Sequence, residues 1–76
     1  MNIKHSERLQ AVKLNISFYR KKYGLTQEGL AEKINVSRTH LSNIEAQNMN
    51  TGITLEILFE IADALNIDVS KLLEVR

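Results

Sequence analysis

Two short helical segments separated by only three residues place the strongest constraint on how this chain can fold. The first, residues 27–34, repeats its apolar side chains at helical spacing over barely two turns, and the second follows Ser37. Helices this short are marginal in isolation, so tertiary contacts must hold them. Because the connection Asn35-Val36-Ser37 is so short, we expect the two helices to cross at a sharp angle rather than form an antiparallel hairpin.

The residues around this bend follow a specific pattern. Ala31 stands where the crossing brings the two backbones together, and a larger side chain there would push them apart. Asn35 is the residue type that best replaces glycine in a left-handed turn. Leu41 then supplies a buried aliphatic side chain. A small residue, a left-handed turn and a buried aliphatic at these offsets are what a helix-turn-helix requires.

The rest of the chain shows helical patterning and no sustained strand-like alternation. Residues suited to beginning a helix alternate with residues suited to ending one. The candidate caps are Ser6, Thr26, Ser37, Thr54 and Asp68, and the candidate stops are Gly24, Asn35 and Asn66. These signals predict an all-α fold: a compact single domain over residues 1–76 with five helices at about 6–23, 27–34, 38–46, 55–65 and 69–73.

Apolar spacing assigns an inward face to each helix. In the first helix the expected inward residues are Leu9, Val12, Ile16, Tyr19 and Tyr23, with Leu14 and Phe18 widening the apolar face. In the second and third helices they are Leu30, Ala31 and Ile34, and then Leu41 and Ile44. In the fourth helix they are Leu55, Leu58, Ile61, Ala62 and Leu65, with Ile57 and Phe59 widening the face, and in the fifth they are Val69, Leu72 and Leu73. A chain of 76 residues buries only about 60–65% of its unfolded surface, so the core is modest and leaves little room for a deep catalytic pocket.

The outer face of the third helix is polar and carries no acidic residue. Arg38, Thr39, Ser42 and Asn43 point away from its inward aliphatic side chains. A short helix with an uncharged or basic outer face suits a groove lined by acceptors and phosphates. In isolation, the same residues would also fit an ordinary solvated surface.

Catalytic and metal chemistry find little support. His40 has serines and a glutamate nearby in the sequence, but there is no oxyanion loop or nucleophile elbow, so a small hydrolase is a weak alternative. The chain has no cysteine, and His5 is far from His40, which argues against a metal site. We expect no enzymatic activity, no metal and no cofactor.

Charge is distributed unevenly, although the net charge is only +1. Residues 1–50 hold eight Lys and Arg against four Glu, whereas residues 51–76 hold two against five Asp and Glu. This imbalance favours one face for a polyanion and another that avoids it. No apolar run approaches the roughly 18 residues of a membrane span, and the polar amino terminus lacks the pattern of a secretory signal, so we expect a cytoplasmic protein without membrane association.

Two longer stretches carry a resemblance to a known family. The first is LTQEGLAEKINVSRTHLSNIEA, and the second is TLEILFEIADALNIDVSKLL. Over about residues 9–73 the chain resembles the phage-repressor and Cro-type (XRE-like) helix-turn-helix family. The resemblance implies a lambda-repressor-like five-helix domain with its helix-turn-helix at helices two and three, the second of which enters the major groove of DNA.

The resemblance also implies which residues read bases. The base-reading positions of the family correspond to Arg38, Thr39 and Asn43, with Ser42 nearby. An Arg side chain can bind guanine O6 and N7, and an Asn side chain can bind adenine N6 and N7. These four residues are therefore the expected base-reading set.

Further positions of the family correspond to contacts with phosphate and to an internal ion pair. Gln27 and Ser37 match phosphate-contacting positions, and Arg20 is a further phosphate candidate. The family also pairs a helix-one arginine with a glutamate at the end of helix three, which corresponds to Arg20 and Glu45 here. Such a pair would tie the reading helix to the first helix.

The function that this resemblance implies is sequence-specific binding of double-stranded DNA by a small prokaryotic or phage-type transcriptional regulator, and we expect a repressor. One such module reads too few base pairs for useful selectivity, so we expect a two-fold homodimer on half-sites about 34 Å apart. The alternative is an antitoxin or other protein-interaction module with the same fold, whose partner is a toxin or regulator. When bound to DNA, the cytoplasmic protein would be associated with the nucleoid.

Overall fold

The computed structural model describes residues 5–47 and 51–75. These ranges contain α1 (Ser6–Tyr23), α2 (Gln27–Lys33), α3 (Arg38–Glu45), α4 (Leu55–Ala64) and α5 (Ser70–Leu73), and no strand. The all-α class and the five-helix arrangement are thus confirmed. None of the helices in the described ranges combines the length and the apolar character needed to cross a bilayer.

Hydroxyl side chains begin the three central helices. The Thr26, Ser37 and Thr54 oxygens each accept a hydrogen bond from the backbone N–H three residues later, over 3.0, 2.9 and 3.1 Å. These bonds satisfy N–H groups that have no partner within the helix. The expectation that Ser6 caps α1 is wrong, because the N-cap residue is His5 and Ser6 is already helical, with no side-chain capping bond.

Left-handed backbone conformations occur where the sequence predicts them. Gly24 has φ 94°, and its N–H donates to the carbonyls of Arg20 and Lys21 at the end of α1. Asn35 and Asn66 have φ values of 60° and 54°, which asparagine tolerates better than most residues. The turns after α1, α2 and α4 therefore follow from local backbone chemistry.

Four helix boundaries differ from the expected ones by a single residue. Ile34 and Leu65 have ψ near zero (6° and 0°) and follow the last helical residue of α2 and α4. Ala46 is extended, so α3 ends at Glu45. Val69 is the N-cap residue of α5, which begins at Ser70 rather than at residue 69.

The core lies between α1, α2, α3 and α4 and is closed by α5. Helix α1 packs against α3 and α5, while α2 packs against α3 and α4. The buried apolar residues are Ile16, Leu30, Ala31, Ile34, Leu41, Ile44, Leu58, Ile61, Ala62, Leu65 and Leu72. All of these were expected to point inward, which confirms the apolar spacing of α2 and α3 in particular.

Several apolar residues expected to point inward are exposed instead. On α4, Leu55 and Phe59 are 64% and 50% exposed, because other side chains of that helix already fill its contact with the core. Leu14, Phe18, Tyr23 and Leu73 are also exposed. Helix α1 faces the core with a more polar surface than expected, which includes the buried residues Lys13 and Asn15.

The last helix is held from both of its ends. The Ser70 N–H donates to the Asp68 carboxylate over 2.9 Å, and this hydrogen bond lowers the pKa of Asp68. The resulting support for α5 is present above the ordinary pKa of the carboxyl and is lost as the pH falls through the lowered value. At the other end, the Asn15 amide donates to the carbonyls of Leu72 and Glu74, over 3.1 and 2.6 Å.

Candidate nucleic-acid interface

The bend between α2 and α3 is built from backbone hydrogen bonds around a small buried residue. Asn35 is left-handed, and the Val36 N–H reaches back to the Ala31 carbonyl over 3.0 Å. Ala31 itself is only 2% exposed, so the two helices approach each other closely at this point. The resulting unit is a helix of seven residues, a tight turn and a helix of eight residues.

Helix α3 has one buried face and one polar face. Its buried face consists of Leu41 and Ile44, which are fully inaccessible, and Glu45. On the other side, Arg38 and Thr39 are exposed, and Ser42 and Asn43 are half-buried. The four polar side chains form two pairs with a spacing of four residues, so they share a sector about 140° wide. We call this sector the α3 polar face.

The carboxylate of Glu45, at the end of α3, joins three helices. Arg20 of α1 donates from Nε to Oε2 over 2.7 Å and from Nη2 to Oε1 over 3.0 Å. Gln27, the first residue of α2, donates from Nε2 to Oε1 over 3.1 Å. The two side chains that the resemblance pairs thus form a two-point ion pair, and both residues are 7% exposed. This arrangement fixes the angle of α3 relative to α1 and α2.

The same contacts bear on the expected phosphate ligands. Arg20 is buried, and its third engaged nitrogen, Nη1, donates to the Leu25 carbonyl over 2.8 Å. Its guanidinium is therefore part of the internal scaffold, and the expected phosphate contact of Arg20 stays a prediction. Gln27 is half-buried and holds Glu45, while Ser37 is exposed and its hydroxyl oxygen is occupied by the His40 N–H.

A functional candidate that sequence reasoning missed is Lys13. This residue of α1 is fully buried, and its Nζ donates to the backbone carbonyls of Asn43 and Ile44, over 3.2 and 2.9 Å. Burial lowers the pKa of Lys13 through loss of hydration. The one available sequence signal was its spacing of seven residues from Arg20, which puts both cations on one side of α1.

The electrostatic surroundings of the α3 polar face favour an anion. Helix α3 has no acidic residue in its first turn, and the positive end of its dipole lies beside the exposed Arg38. Within residues 5–47 and 51–75 there is no group of three or more His, Cys, Asp or Glu residues that could hold a metal ion.

The second helix of this helix-turn-helix is held on its buried side by α1 and α2 and is polar on its accessible side, which is the arrangement of helix-turn-helix DNA-binding domains. The comparison with known families agrees. The family described as "Helix-turn-helix" matches residues 16–72, and the chain belongs to this family, in its Cro/C1 type.

The individual relatives are control, controller or regulator proteins by name. The chain is 41% identical over 59 residues to the control protein C.SmaI of Serratia marcescens, a match covering 78% of this chain and 68% of that protein. Among solved structures, it is similar to the master regulator for biofilm formation SinR in complex with DNA, with 33% identity, a TM-score of 0.74, and coverage of 83% of this chain and 98% of that one.

A second similar structure is the restriction-modification controller protein C.AhdI from Aeromonas hydrophila. The identity is 25%, the TM-score is 0.77, and the match covers 84% of this chain and 94% of that one. SinR has also been solved in a complex with the SinI protein. Together with the family, these likenesses identify the chain as a DNA-binding transcriptional regulator and not an enzyme.

Proposed function

We propose that α3 enters the major groove of duplex DNA and reads bases with Arg38, Thr39 and Asn43, while Ser42 lies at the edge of the contact. The observation that carries this proposal is the division of α3 into a fully buried aliphatic side and an accessible polar side without acidic residues. Arg38 has the donors to bind guanine, and Asn43 has the donor and acceptor to bind adenine. The regulator acts as a repressor when its site overlaps a promoter.

The uncharged contacts with the DNA backbone in this proposal come from the amino-terminal ends of α2 and α3. The Gln27 amide donates one hydrogen bond to Glu45 and has a second N–H available for a phosphate oxygen. The Ser37 hydroxyl accepts from the His40 N–H and keeps its own proton to donate. Both side chains are held in place before DNA arrives, so little conformational entropy is lost on binding.

Binding to DNA is expected to weaken steeply with salt. Each phosphate neutralised by Lys or Arg releases counterions, so two such contacts reduce the affinity about tenfold between roughly 50 and 200 mM salt. Fluorescence polarisation with a pool of random duplexes measures this dependence directly. An absence of salt-sensitive affinity for duplex at micromolar protein would count decisively against the proposed function.

The second part of the proposal is a two-fold homodimer. One α3 polar face spans only a few base pairs, which is too short for selectivity in a genome. Exposed apolar pairs with a spacing of four residues, Leu14 with Phe18 and Leu55 with Phe59, provide surface suited to association. A symmetric dimer places its two reading helices about 34 Å apart, one turn of DNA.

The dimer predicts a dependence on half-site spacing. Duplexes with two copies of a selected half-site, centred about 10 base pairs apart, are expected to bind two chains much more tightly than duplexes with centres about 15 base pairs apart, because the second helix then faces the wrong side of the DNA. Gel-shift titration with sedimentation of the complex measures both affinity and stoichiometry. Equal affinity at both spacings would refute the dimer.

A protein partner, such as a toxin or another regulator, is the alternative use of this fold. SinR, a structural relative, has been solved with SinI, which motivates the alternative for this chain. The exposed Leu55 and Phe59 would suit such a partner better than the α3 polar face, which lacks apolar anchors. We place the protein in the cytoplasm, associated with the nucleoid when it is bound to DNA.

A further inference from the structure

Lys13 occupies an unusual environment for a lysine. Of the lysines in the described ranges it alone is buried, and it is fully inaccessible. Its Nζ bonds two carbonyls that lie 30 and 31 residues away, both in the last turn of α3. A buried ammonium loses its hydration, so it persists in a fold only where it gains specific partners.

The end of α3 needs such a partner. Helices α1, α2 and α4 each end with a backbone N–H that returns to carbonyls of the last turn, whereas the C-cap of α3, Ala46, is extended and makes no such bond. Helix α3 also has no basic residue in its last turn. Lys13 supplies both missing elements, because it donates to two carbonyls of the last turn and places a cation at the negative end of the helix.

The position of these carbonyls connects Lys13 with the DNA contact. One of them belongs to Asn43, whose side chain is part of the α3 polar face. Two turns further along α1, on the same side, Arg20 holds Glu45. Lys13 and Arg20 of α1 therefore hold three consecutive residues of α3, residues 43–45, on the side opposite the α3 polar face.

We propose that Lys13 is a positioning residue for DNA recognition: it holds the last turn of α3 so that Asn43 meets its base, without touching DNA itself. This inference rests on the proposed function. A lysine in such a protein is ordinarily expected to bind phosphate, and burial behind α3 assigns Lys13 a different role. Its removal should reduce selectivity for sequence and leave the electrostatic part of binding intact.

The test is Lys13→Met, which keeps the length of the side chain and removes its charge and donors. Affinity is measured for a duplex selected from a random pool by the wild-type chain and for a scrambled duplex of the same composition, at a temperature where circular dichroism shows both proteins folded. The ratio of the two affinities is expected to fall about three- to tenfold, since two hydrogen bonds are lost, with an unchanged salt slope. Lys71→Met, which alters an exposed lysine of α5, is the matched control and should leave the ratio unchanged.

The outcomes separate this inference from the proposed function. An unchanged ratio in folded Lys13→Met overturns the positioning role, and a salt slope reduced by about one overturns it in favour of a phosphate contact. A wild-type chain that selects no duplex overturns both the inference and the proposed function. If Lys13→Met does not fold, nitrogen NMR of the wild-type protein measures how fast the ammonium hydrogens of Lys13 exchange with solvent. Slow exchange that persists in the DNA complex supports the positioning role. Rapid exchange in that complex overturns it.

Discussion

Replacing Glu45 by alanine is expected to destabilise the domain by about 3–5 kcal/mol, because it leaves the Arg20 guanidinium buried without a counter-charge. The carboxylate accepts three hydrogen bonds, two from Arg20 and one from Gln27, and both charged residues are 7% exposed. Chemical denaturation of Glu45→Ala, followed by circular dichroism, measures the change in the free energy of unfolding.

The double variant Arg20→Met with Glu45→Leu is the matched control. It removes both charges and fills their volume with apolar atoms, so it is expected to be more stable than Glu45→Ala alone. A loss below about 1 kcal/mol in Glu45→Ala would mean that the pair behaves like a surface ion pair, and its role in fixing α3 would then have to be abandoned.

Replacing Arg38 and Asn43 by alanine is expected to abolish selective DNA binding without unfolding the protein. Each bidentate contact with a base contributes roughly 1–3 kcal/mol of discrimination, so the double variant should lose about 2–6 kcal/mol, or roughly 30-fold to 20,000-fold, in preference for its selected duplex. Arg38 is exposed and Asn43 half-buried, and among the described residues neither side chain makes a hydrogen bond that supports the core. Polarisation titration against selected and scrambled duplexes measures the loss.

Arg8→Ala is the control for this pair, because it removes an exposed arginine of α1 that lies outside the α3 polar face. Its preference for the selected duplex should equal that of the wild type. If the Arg38 and Asn43 variant retains full preference while its helicity is unchanged, the assignment of base-reading residues is incorrect even though the chain binds DNA.

The turns and helix starts of this fold could be predicted from sequence because their causes are local. The left-handed conformations of Gly24, Asn35 and Asn66 depend on the residue itself, and the caps at Thr26 and Thr54 depend on an N–H three residues away. Ser6 shows the limit of this reasoning. A residue suited to capping stands there, but the helix begins at it rather than after it.

The inward faces were less predictable, because periodicity separates apolar from polar faces but not a buried apolar face from an exposed one. Leu55 and Phe59 follow helical spacing as well as Leu58 does, yet only Leu58 is buried. Which of them meets the core depends on how α4 packs against α2, and that angle is set by residues far away in sequence.

The candidate site likewise has one part that could be predicted from sequence and one part that could not. The α3 polar face follows from the spacing of α3 and from the bend, so its residues could be named in advance. The contacts behind it could not, since Lys13 binds backbone carbonyls, which every residue possesses and no sequence pattern distinguishes. The surroundings of Gln27 were hidden for a related reason, because its amide meets Glu45 only after α2 and α3 have packed.

The amide of Asn15 has a consequence for any attempt to reduce this protein to a smaller unit. This amide donates to carbonyls 57 and 59 residues further along the chain. Asn15 lies on α1, the helix whose Lys13 and Arg20 hold α3. A peptide of α2 and α3 alone, or a graft of these two helices onto another scaffold, would lack all three of these donors, because they belong to α1. The helix-turn-helix is therefore not expected to keep its structure outside this domain.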